Sequence, residues 1–300
     1  MRHSMKVSYY PGCTLKTKAR NLEDTAIGAL AVLGVELVEL PRWNCCGAVT
    51  SLAQDDLLHM LAPVRDLIRA KEQGSDKLVT ICSMCYNTLA RANLLMRNDA
   101  EKRDALNRFM DEEPDYAGEV EVIHLLNFIR DEVGWDKLRA AVRRPLTGLR
   151  VAPYYGCTLV RPAEVAIEPA VDATVFEKFI EALGAQLVHN PGAFDCCGSY
   201  QILSHPKQAL AASAELLGKA KNKGADVLAL SCPLCDYNLG KRQNELVADH
   251  GLESKLPTIY FTQLLAVALG LDSSLCHFEL NHEGTRSLLE ERNLISTVAV

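Results

Sequence analysis

The hexapeptide Tyr10-Pro-Gly-Cys-Thr-Leu15 recurs almost unchanged as Tyr154-Tyr-Gly-Cys-Thr-Leu159 in a chain of 300 residues. In both places it is followed by a Cys-Cys-Gly and then by a Cys-x-x-Cys, in the same order and at similar spacing. The two halves also end alike, because residues 123–134 align without gaps on residues 259–270. A repeat of this length indicates the internal duplication of one structural unit. We therefore predict two domains, at residues 1–145 and 146–300.

Ten of the eleven cysteines belong to the repeated pattern. Five thiols that recur in one order predict metal or iron–sulfur chemistry in each half of the chain. The cysteines are Cys13, Cys45, Cys46, Cys82 and Cys85 in the first half, and Cys157, Cys196, Cys197, Cys232 and Cys235 in the second.

The composition is typical of a globular chain with a large core, since 48% of the residues are hydrophobic. The net charge of −6 argues against a nucleic-acid-binding surface, which needs a basic excess. No stretch approaches the roughly 20 apolar residues of a membrane span, and the first ten residues lack an apolar signal-peptide core. We therefore expect a cytoplasmic protein, in which thiols stay reduced and a disulfide scaffold is disfavoured.

Short apolar runs alternate with stretches of helical period in each half. This alternation predicts βαβ units, and hence an α/β fold with a parallel sheet and right-handed crossovers in each domain. In the first half the predicted strands are 6–10, 35–40, 78–81 and 120–123, and the predicted helices are 20–33, 52–72, 84–97 and 125–133.

The cysteines of each half follow predicted strands directly. Cys13, the Cys45-Cys46 pair and Cys82 each come just after the carboxyl end of a strand. These ends share one edge of an open parallel sheet, and ligands bind at that edge. The helix after Cys82 begins there too, and helix N-termini favour thiolates and cluster sulfides. The sequence thus predicts one thiol-lined pocket in each half.

Three kinds of site could use such thiols. Structural zinc prefers four ligands from Cys or His pairs, whereas each half offers five thiols and a single Cys-x-x-Cys. A catalytic dithiol would leave three cysteines per half unexplained. Iron–sulfur clusters accept thiolates from scattered loops and fit the pattern best, with zinc in one half as the main competitor.

The complete constellation resembles the CCG-domain family, named after Cys-Cys-Gly, and within it the B subunits of heterodisulfide reductases. The resemblance covers essentially the whole chain and implies two tandem Rossmann-like CCG domains. It also implies that all five cysteines of each half hold a non-cubane [4Fe-4S] cluster. In the first half these are Cys13, Cys45, Cys46, Cys82 and Cys85; in the second they are Cys157, Cys196, Cys197, Cys232 and Cys235.

The resemblance further implies an oxidoreductase of methanogenesis-type chemistry. It would reduce the disulfide of coenzyme M and coenzyme B, or a bacterial equivalent, to two thiols at the two clusters. Its partners would be a ferredoxin-like C subunit and a flavin-bearing A subunit. Two alternatives stay open: an electron-transfer subunit of a lactate- or glycolate-oxidising complex, and a relay subunit that has no substrate of its own.

Basic side chains near the cysteine motifs are candidates for an anion pocket, although a solvated helix face is the favoured interpretation for any single one of them. His205 could donate a proton to a leaving thiolate, but a loop histidine is the commoner role. Cys276 has no counterpart in the first half and is expected to be a free cysteine. The sequence does not decide whether the segment after residue 271 packs on the body of the protein. The basic candidates are Lys16, Lys18, Arg20, Arg91, Arg161, Lys241 and Arg242.

Overall fold

Two parallel four-stranded sheets form the framework of the protein. The computed structural model describes residues 4–48, 57–282 and 284–296. In each sheet the first strand of the half lies between the second and the third, and the fourth completes the far edge. All neighbouring strands are parallel, as predicted. The strands are β1 (Met5–Tyr10), β2 (Val35–Glu39), β3 (Lys77–Thr80) and β4 (Glu121–His124), then β5 (Arg150–Pro153), β6 (Gln186–Leu187), β7 (Val227–Leu230) and β8 (Thr258–Tyr260).

Helices connect and cover the strands, which confirms the predicted α/β class. Buried strands such as Val227–Leu230 are apolar throughout, as expected where helices shield both faces of a parallel sheet. The helices are α1 (Arg20–Val32), α2 (Leu61–Glu72), α3 (Ser83–Asn98), α4 (Ala100–Phe109), α5 (Leu125–Phe128), α6 (Trp135–Ala141), α7 (Val175–Ala182), α8 (Gln201–Ser204), α9 (Pro206–Asn222), α10 (Pro233–Asp236), α11 (Gln243–Asp249), α12 (Phe261–Ala268) and α13 (Thr285–Glu291).

The predicted elements of the first half agree closely with the structure, and two differ in detail. The helix predicted at 52–72 is described from a 3-10 turn at Leu58–Met60, which continues into α2; residues 52–56 lie outside the described residues. The helix predicted at 125–133 is α-helical only to Phe128 and then forms a π-helical turn over Ile129–Val133. Gly134 ends that turn with a φ of 82°, a conformation that glycine adopts without steric cost.

The two halves pack against each other through α1 and α12. Within this contact the buried hydroxyl of Thr25 lies 2.8 Å from that of Thr262. Thr262 also donates to the carbonyl oxygen of Leu22 at 2.9 Å. These buried hydrogen bonds fix the two sheets relative to each other, because an unpaired buried hydroxyl is costly.

The segment after residue 271 packs on the first half of the chain. Asn21 in α1 donates to Asn281 at 3.1 Å, and His277 Nε2 lies 2.9 Å from the carboxylate of Asp24. Leu275 lies so close to Gly28 that a Cβ there would stand 2.5 Å from the leucine side chain. The segment therefore ties the C-terminal end of the chain to α1. Among the helices of the described residues, none combines the length and apolar character needed to cross a bilayer.

Candidate metal centres

Three loops in each half carry the repeated cysteines to the carboxyl edge of a sheet. In the first half Cys13 follows β1, the Cys45-Cys46 pair follows β2, and Cys82 follows β3 as the residue that caps α3. The second half repeats this arrangement after β5, β6 and β7. The structure thus brings the sequence-predicted cysteines to the predicted edge of each sheet.

In the first half the five thiols form a connected group. The Sγ atoms of Cys13 and Cys45 lie 3.6 Å apart. The Cys46 thiol is close enough to those of Cys45 and Cys85 for its pKa to be shifted by both, and Cys82 shifts the pKa of Cys85 in the same way. Cys46, Cys82 and Cys85 are buried, whereas Cys13 and Cys45 are exposed at the open end.

The second half has an equivalent group. Cys157 Sγ lies 3.9 Å from Cys196 Sγ, and Cys197 Sγ lies 3.5 Å from Cys235 Sγ. Cys197 shifts the pKa of its neighbour Cys196, and Cys232 shifts that of Cys235, so these thiols also lie close together. Each half therefore gathers five sulfur donors that come from three separate loops.

The two groups meet at the interface between the halves. The thiols of Cys82 and Cys232 are close enough for each to shift the pKa of the other. Beside them, Ser83 Oγ lies 2.6 Å from Ser231 Oγ, and the Ser83 N–H donates to the Ser231 carbonyl oxygen at 3.2 Å. The two groups of sulfurs therefore lie next to each other where the halves meet, and we call the ten sulfurs together the sulfur row.

Two cavities of about 400 Å³ each open beside the sulfur row. The first cavity is lined by the five cysteines of the first half together with Cys232, and the second by Cys157 and Cys196. Ala48 and Met84 line both cavities, so the two spaces adjoin each other.

Close packing shifts the pKa values of neighbouring thiols in opposite directions. Hydrogen bonds from Cys232 and Cys85 hold the pKa of Cys82 well below its usual range, whereas hydrogen bonding to neighbouring thiols raises that of Cys85. In the second half, hydrogen bonds from Cys157 and Cys197 lower the pKa of Cys196 to about 2. A bound cation deprotonates such thiols outright.

The donor set fits iron–sulfur clusters, since soft thiolates select iron–sulfur and other soft metals. A glycine also lets the backbone approach one of the sulfurs closely. Gly12 has a φ of 77°, and a Cβ at this position would lie 2.9 Å from Cys85 Sγ. Within the described ranges, no group of three or more His, Cys, Asp or Glu side chains is arranged to hold a single metal ion.

Two tyrosines hold the Cys-Cys loops in the same way. Tyr10 Oη donates to the Asn44 carbonyl oxygen and Tyr154 Oη to the Asp195 carbonyl oxygen, both at 2.8 Å. Each acceptor directly precedes the Cys-Cys pair of its half. This role was not predicted, because a tyrosine next to the lone cysteine gives no sign of which loop its hydroxyl reaches.

Replacing Tyr154 by phenylalanine is expected to lower the free energy of unfolding by about 1 kcal/mol, because it removes one buried hydrogen bond and keeps the ring. Urea denaturation of the anaerobically prepared protein would measure the loss. Tyr237→Phe is the control, since Tyr237 is 42% exposed and its change should stay within about 0.5 kcal/mol. Equal losses in the two variants would contradict the role of Tyr154 in holding the loop.

Other polar side chains that secure the cysteine loops were also missed. Asn238 donates to the carbonyl oxygens of Cys197 and Ser199, each at 3.0 Å. Asp66 accepts the backbone N–H of Asn44 at 2.9 Å, and burial raises the pKa of Asp66 to about 8. These residues lie on helices. Sequence spacing predicts which face of a helix is buried, but not which loop that face contacts.

The basic candidates separate into two groups. Lys18 and Lys241 line the first cavity, and Arg91 lines the second; Lys241 also donates to the Leu280 carbonyl oxygen and lies 4.0 Å from the Asp236 carboxylate. The others contact protein groups instead: Lys16 pairs with Glu23 at 2.7 Å and Glu39 at 2.6 Å, Arg20 with Asp24 at 3.3 Å and Arg242 with Glu245 at 2.6 Å, while Arg161 donates to the Phe194 carbonyl oxygen at 3.0 Å.

Two remaining candidates lie elsewhere. His205 is exposed, and its Nδ1 lies 2.9 Å from Ser204 Oγ in its own turn. Cys276 is fully buried in a 3-10 turn of the C-terminal segment, where burial raises its pKa to about 12. Its expected role as a free core cysteine remains a prediction.

The chain is similar to known proteins over most of its length. The family described as "CCG: Cysteine-rich domain" matches residues 7–90 and 151–240. The 8-methylmenaquinol:fumarate reductase membrane anchor subunit of Wolinella succinogenes is 30% identical over 92% of this chain and 95% of its own. The B subunit of the ferredoxin/F420H2-dependent CoB-CoM heterodisulfide reductase of Methanosarcina acetivorans is 30% identical over 92% of this chain and 93% of its own.

A solved structure shares the fold. The crystal structure of a hypothetical protein from Helicobacter pylori superposes with a TM-score of 0.73 at 13% identity, over 93% of this chain. This chain spans only 53% of that protein, about half of its length. At this identity the likeness extends to the fold alone.

Proposed function

The chain belongs to the cysteine-rich CCG domain family, and from this premise we propose that it is the catalytic iron–sulfur subunit of a disulfide reductase. Heterodisulfide reductase B subunits are among its relatives at 26–30% identity over most of the chain, which supports an iron–sulfur subunit. The proposal goes further: this chain itself binds a small-molecule disulfide and reduces it to two thiols. It also includes a cytoplasmic location, and ferredoxin-like and flavin-bearing subunits as electron donors.

The sulfur row beside two adjoining cavities carries the proposal. We propose that the five cysteines of each half hold one non-cubane [4Fe-4S] cluster, so that each cavity has a redox centre at its wall. When bound, the clusters supply one-electron chemistry, and two of them match the two electrons of a disulfide reduction. The shared lining by Ala48 and Met84 lets one substrate extend from the first cavity into the second.

The protein's own groups have separate tasks in this proposal. The tyrosines that bind the Asn44 and Asp195 carbonyl oxygens fix the cysteine loops. Lys18 and Lys241 supply positive charge to the first cavity, and Arg91 supplies it to the second. These cations suit a disulfide whose ends are anionic, because Lys and Arg bind carboxylate, phosphate and sulfonate groups.

The direct test is reoxidation of the reduced, cluster-loaded protein by candidate disulfides under anaerobic conditions. We expect one disulfide class to reoxidise the centres and to release two thiols per disulfide. Electron paramagnetic resonance (EPR) spectra should change when that disulfide is added. If no disulfide reacts while a redox dye reoxidises the centres rapidly, the catalytic proposal is wrong and the subunit is a relay.

A second candidate is an electron-transfer subunit of a quinol-linked reductase. The observation that favours it is the 30% identity to the Wolinella succinogenes subunit, which equals the identity to the Methanosarcina acetivorans subunit. In that case the reduced centres should pass electrons to a partner subunit, and disulfides should not reoxidise them. The reoxidation experiment separates the two candidates.

Lys18 and Lys16 provide a matched pair for the anion pocket. Lys18→Gln is expected to raise the KM for an anionic disulfide about tenfold with little change in kcat, because it removes one charge from the cavity lining. Lys16→Gln should leave KM nearly unchanged, since Glu23 and Glu39 already pair with that lysine. Steady-state kinetics of both variants would measure this, and equal KM values would remove Lys18 from the pocket.

A further inference from the structure

Ser199 has an unusual position directly after the second Cys-Cys-Gly. Its φ is 45°, in the left-handed region that L-residues other than Asn and Asp seldom adopt. Its backbone N–H donates to Cys197 Sγ at 3.4 Å, and its carbonyl oxygen accepts the amide of Asn238 at 3.0 Å. The loop therefore holds this residue firmly against a sulfur of the second half.

The side chain of Ser199 has a hydrogen-bonding capacity that the protein does not use. The residue is 8% exposed, and its buried Oγ has no hydrogen-bond partner among the described residues. It lines the second cavity together with Cys157 and Cys196. Buried hydroxyls are almost always paired, so an orphan at a thiol-lined wall indicates a partner that belongs to the site.

The first half differs at this point of the repeat. The residue after its Cys-Cys-Gly is Ala48, which also lines the second cavity and has a methyl group where Ser199 has a hydroxyl. Ala48 is not among the residues with positive φ. The duplication therefore supplies two loops of the same kind, of which only the second offers a hydroxyl donor at this position.

We propose that the Ser199 hydroxyl donates a hydrogen bond to a sulfur of the second-half centre and thereby raises its reduction potential. A hydrogen bond to a cluster sulfur or a ligating thiolate stabilises the reduced form, which carries more negative charge. The inference rests on the proposed clusters. Because the two centres would then differ in potential, the first electron to arrive is held mainly at the second half.

The test is an EPR-monitored potentiometric titration of the cluster-loaded protein, compared with its Ser199→Ala and Ser199→Gly variants. Both variants remove the hydroxyl, but glycine alone also removes the strain of the left-handed backbone. We expect the second-half potential to fall by a similar amount in both variants. The first-half centre in the same molecule is the internal reference and should keep its potential.

Three results would overturn the inference. Unchanged potentials would mean that the hydroxyl does not contact the centre. Equal shifts of both centres would indicate a general change in the fold, and a shift in the glycine variant alone would assign the effect to backbone strain, because only glycine relieves it. Iron and sulfide content, measured on every sample, distinguishes failure of the two proposals. Absence of clusters from the wild-type protein refutes the proposed function. Intact clusters with unchanged potentials refute only the role of Ser199.

Discussion

Replacement of Cys46 by serine is expected to remove the first-half centre and about half of the protein's iron and sulfide, since each half is proposed to hold one cluster. Cys46 is 1% exposed and lies beside the thiols of Cys45 and Cys85, so the substitution removes a sulfur from the buried part of the proposed ligand set. Elemental analysis for iron and zinc, together with EPR of the reduced protein, would measure the loss. Disulfide reduction should fall below detection, because one of two redox centres is missing.

The duplication provides the matched experiment in the other half. Cys197→Ser should remove the second-half centre and leave the EPR signal of the first. Cys276→Ser is the control, because this buried cysteine stands outside the repeated pattern and should keep full iron content. Full iron retention in both ligand variants would contradict the two-cluster proposal, and zinc in place of half the iron in the wild type would favour the zinc alternative.

The repeated motifs predicted the interior of each half well. Apolar runs predicted the strands. The cysteines directly after them lie at one sheet edge, because the carboxyl ends of parallel strands meet there. Cys13 after β1 and Cys82 after β3 are examples that needed only local pattern and a general rule of α/β folds. Local pattern was sufficient because these positions depend on the chain within one half.

Contacts between the halves were beyond sequence reasoning. The Cys82–Cys232 contact and the Ser83–Ser231 hydrogen bond depend on how two sheets pack, which the repeat does not specify. The same holds for the C-terminal segment, whose contact with α1 rests on long-range pairs such as Asn21 with Asn281. Charge alone likewise did not distinguish Lys18, which lines a cavity, from Lys16, which pairs with two carboxylates.

The glycines of the two Cys-Cys-Gly motifs are expected to respond differently to the same substitution. Both have positive φ, 69° at Gly47 and 88° at Gly198, so alanine at either position costs about 1–2 kcal/mol of backbone strain. At Gly47 a Cβ would lie 3.9 Å from the side chain of Ala62, an ordinary contact and the shortest to any residue that the structure describes. At Gly198 a Cβ would lie 2.7 Å from the Cα of Ala209 in α9. Such overpacking destabilises the fold by roughly 1–3 kcal/mol more.

Gly198→Ala should therefore lower the free energy of unfolding by about 2–5 kcal/mol, and Gly47→Ala by about 1–2 kcal/mol. Denaturant titration of both variants in the metal-free state isolates the packing effect from cluster loading. In the loaded protein, the second-half centre should be depleted in Gly198→Ala because the loop that carries Cys196 and Cys197 cannot keep its approach to α9. Equal destabilisation of the two variants would mean that this loop can move away from α9 freely. Close packing against α9 would then not position the second Cys-Cys pair.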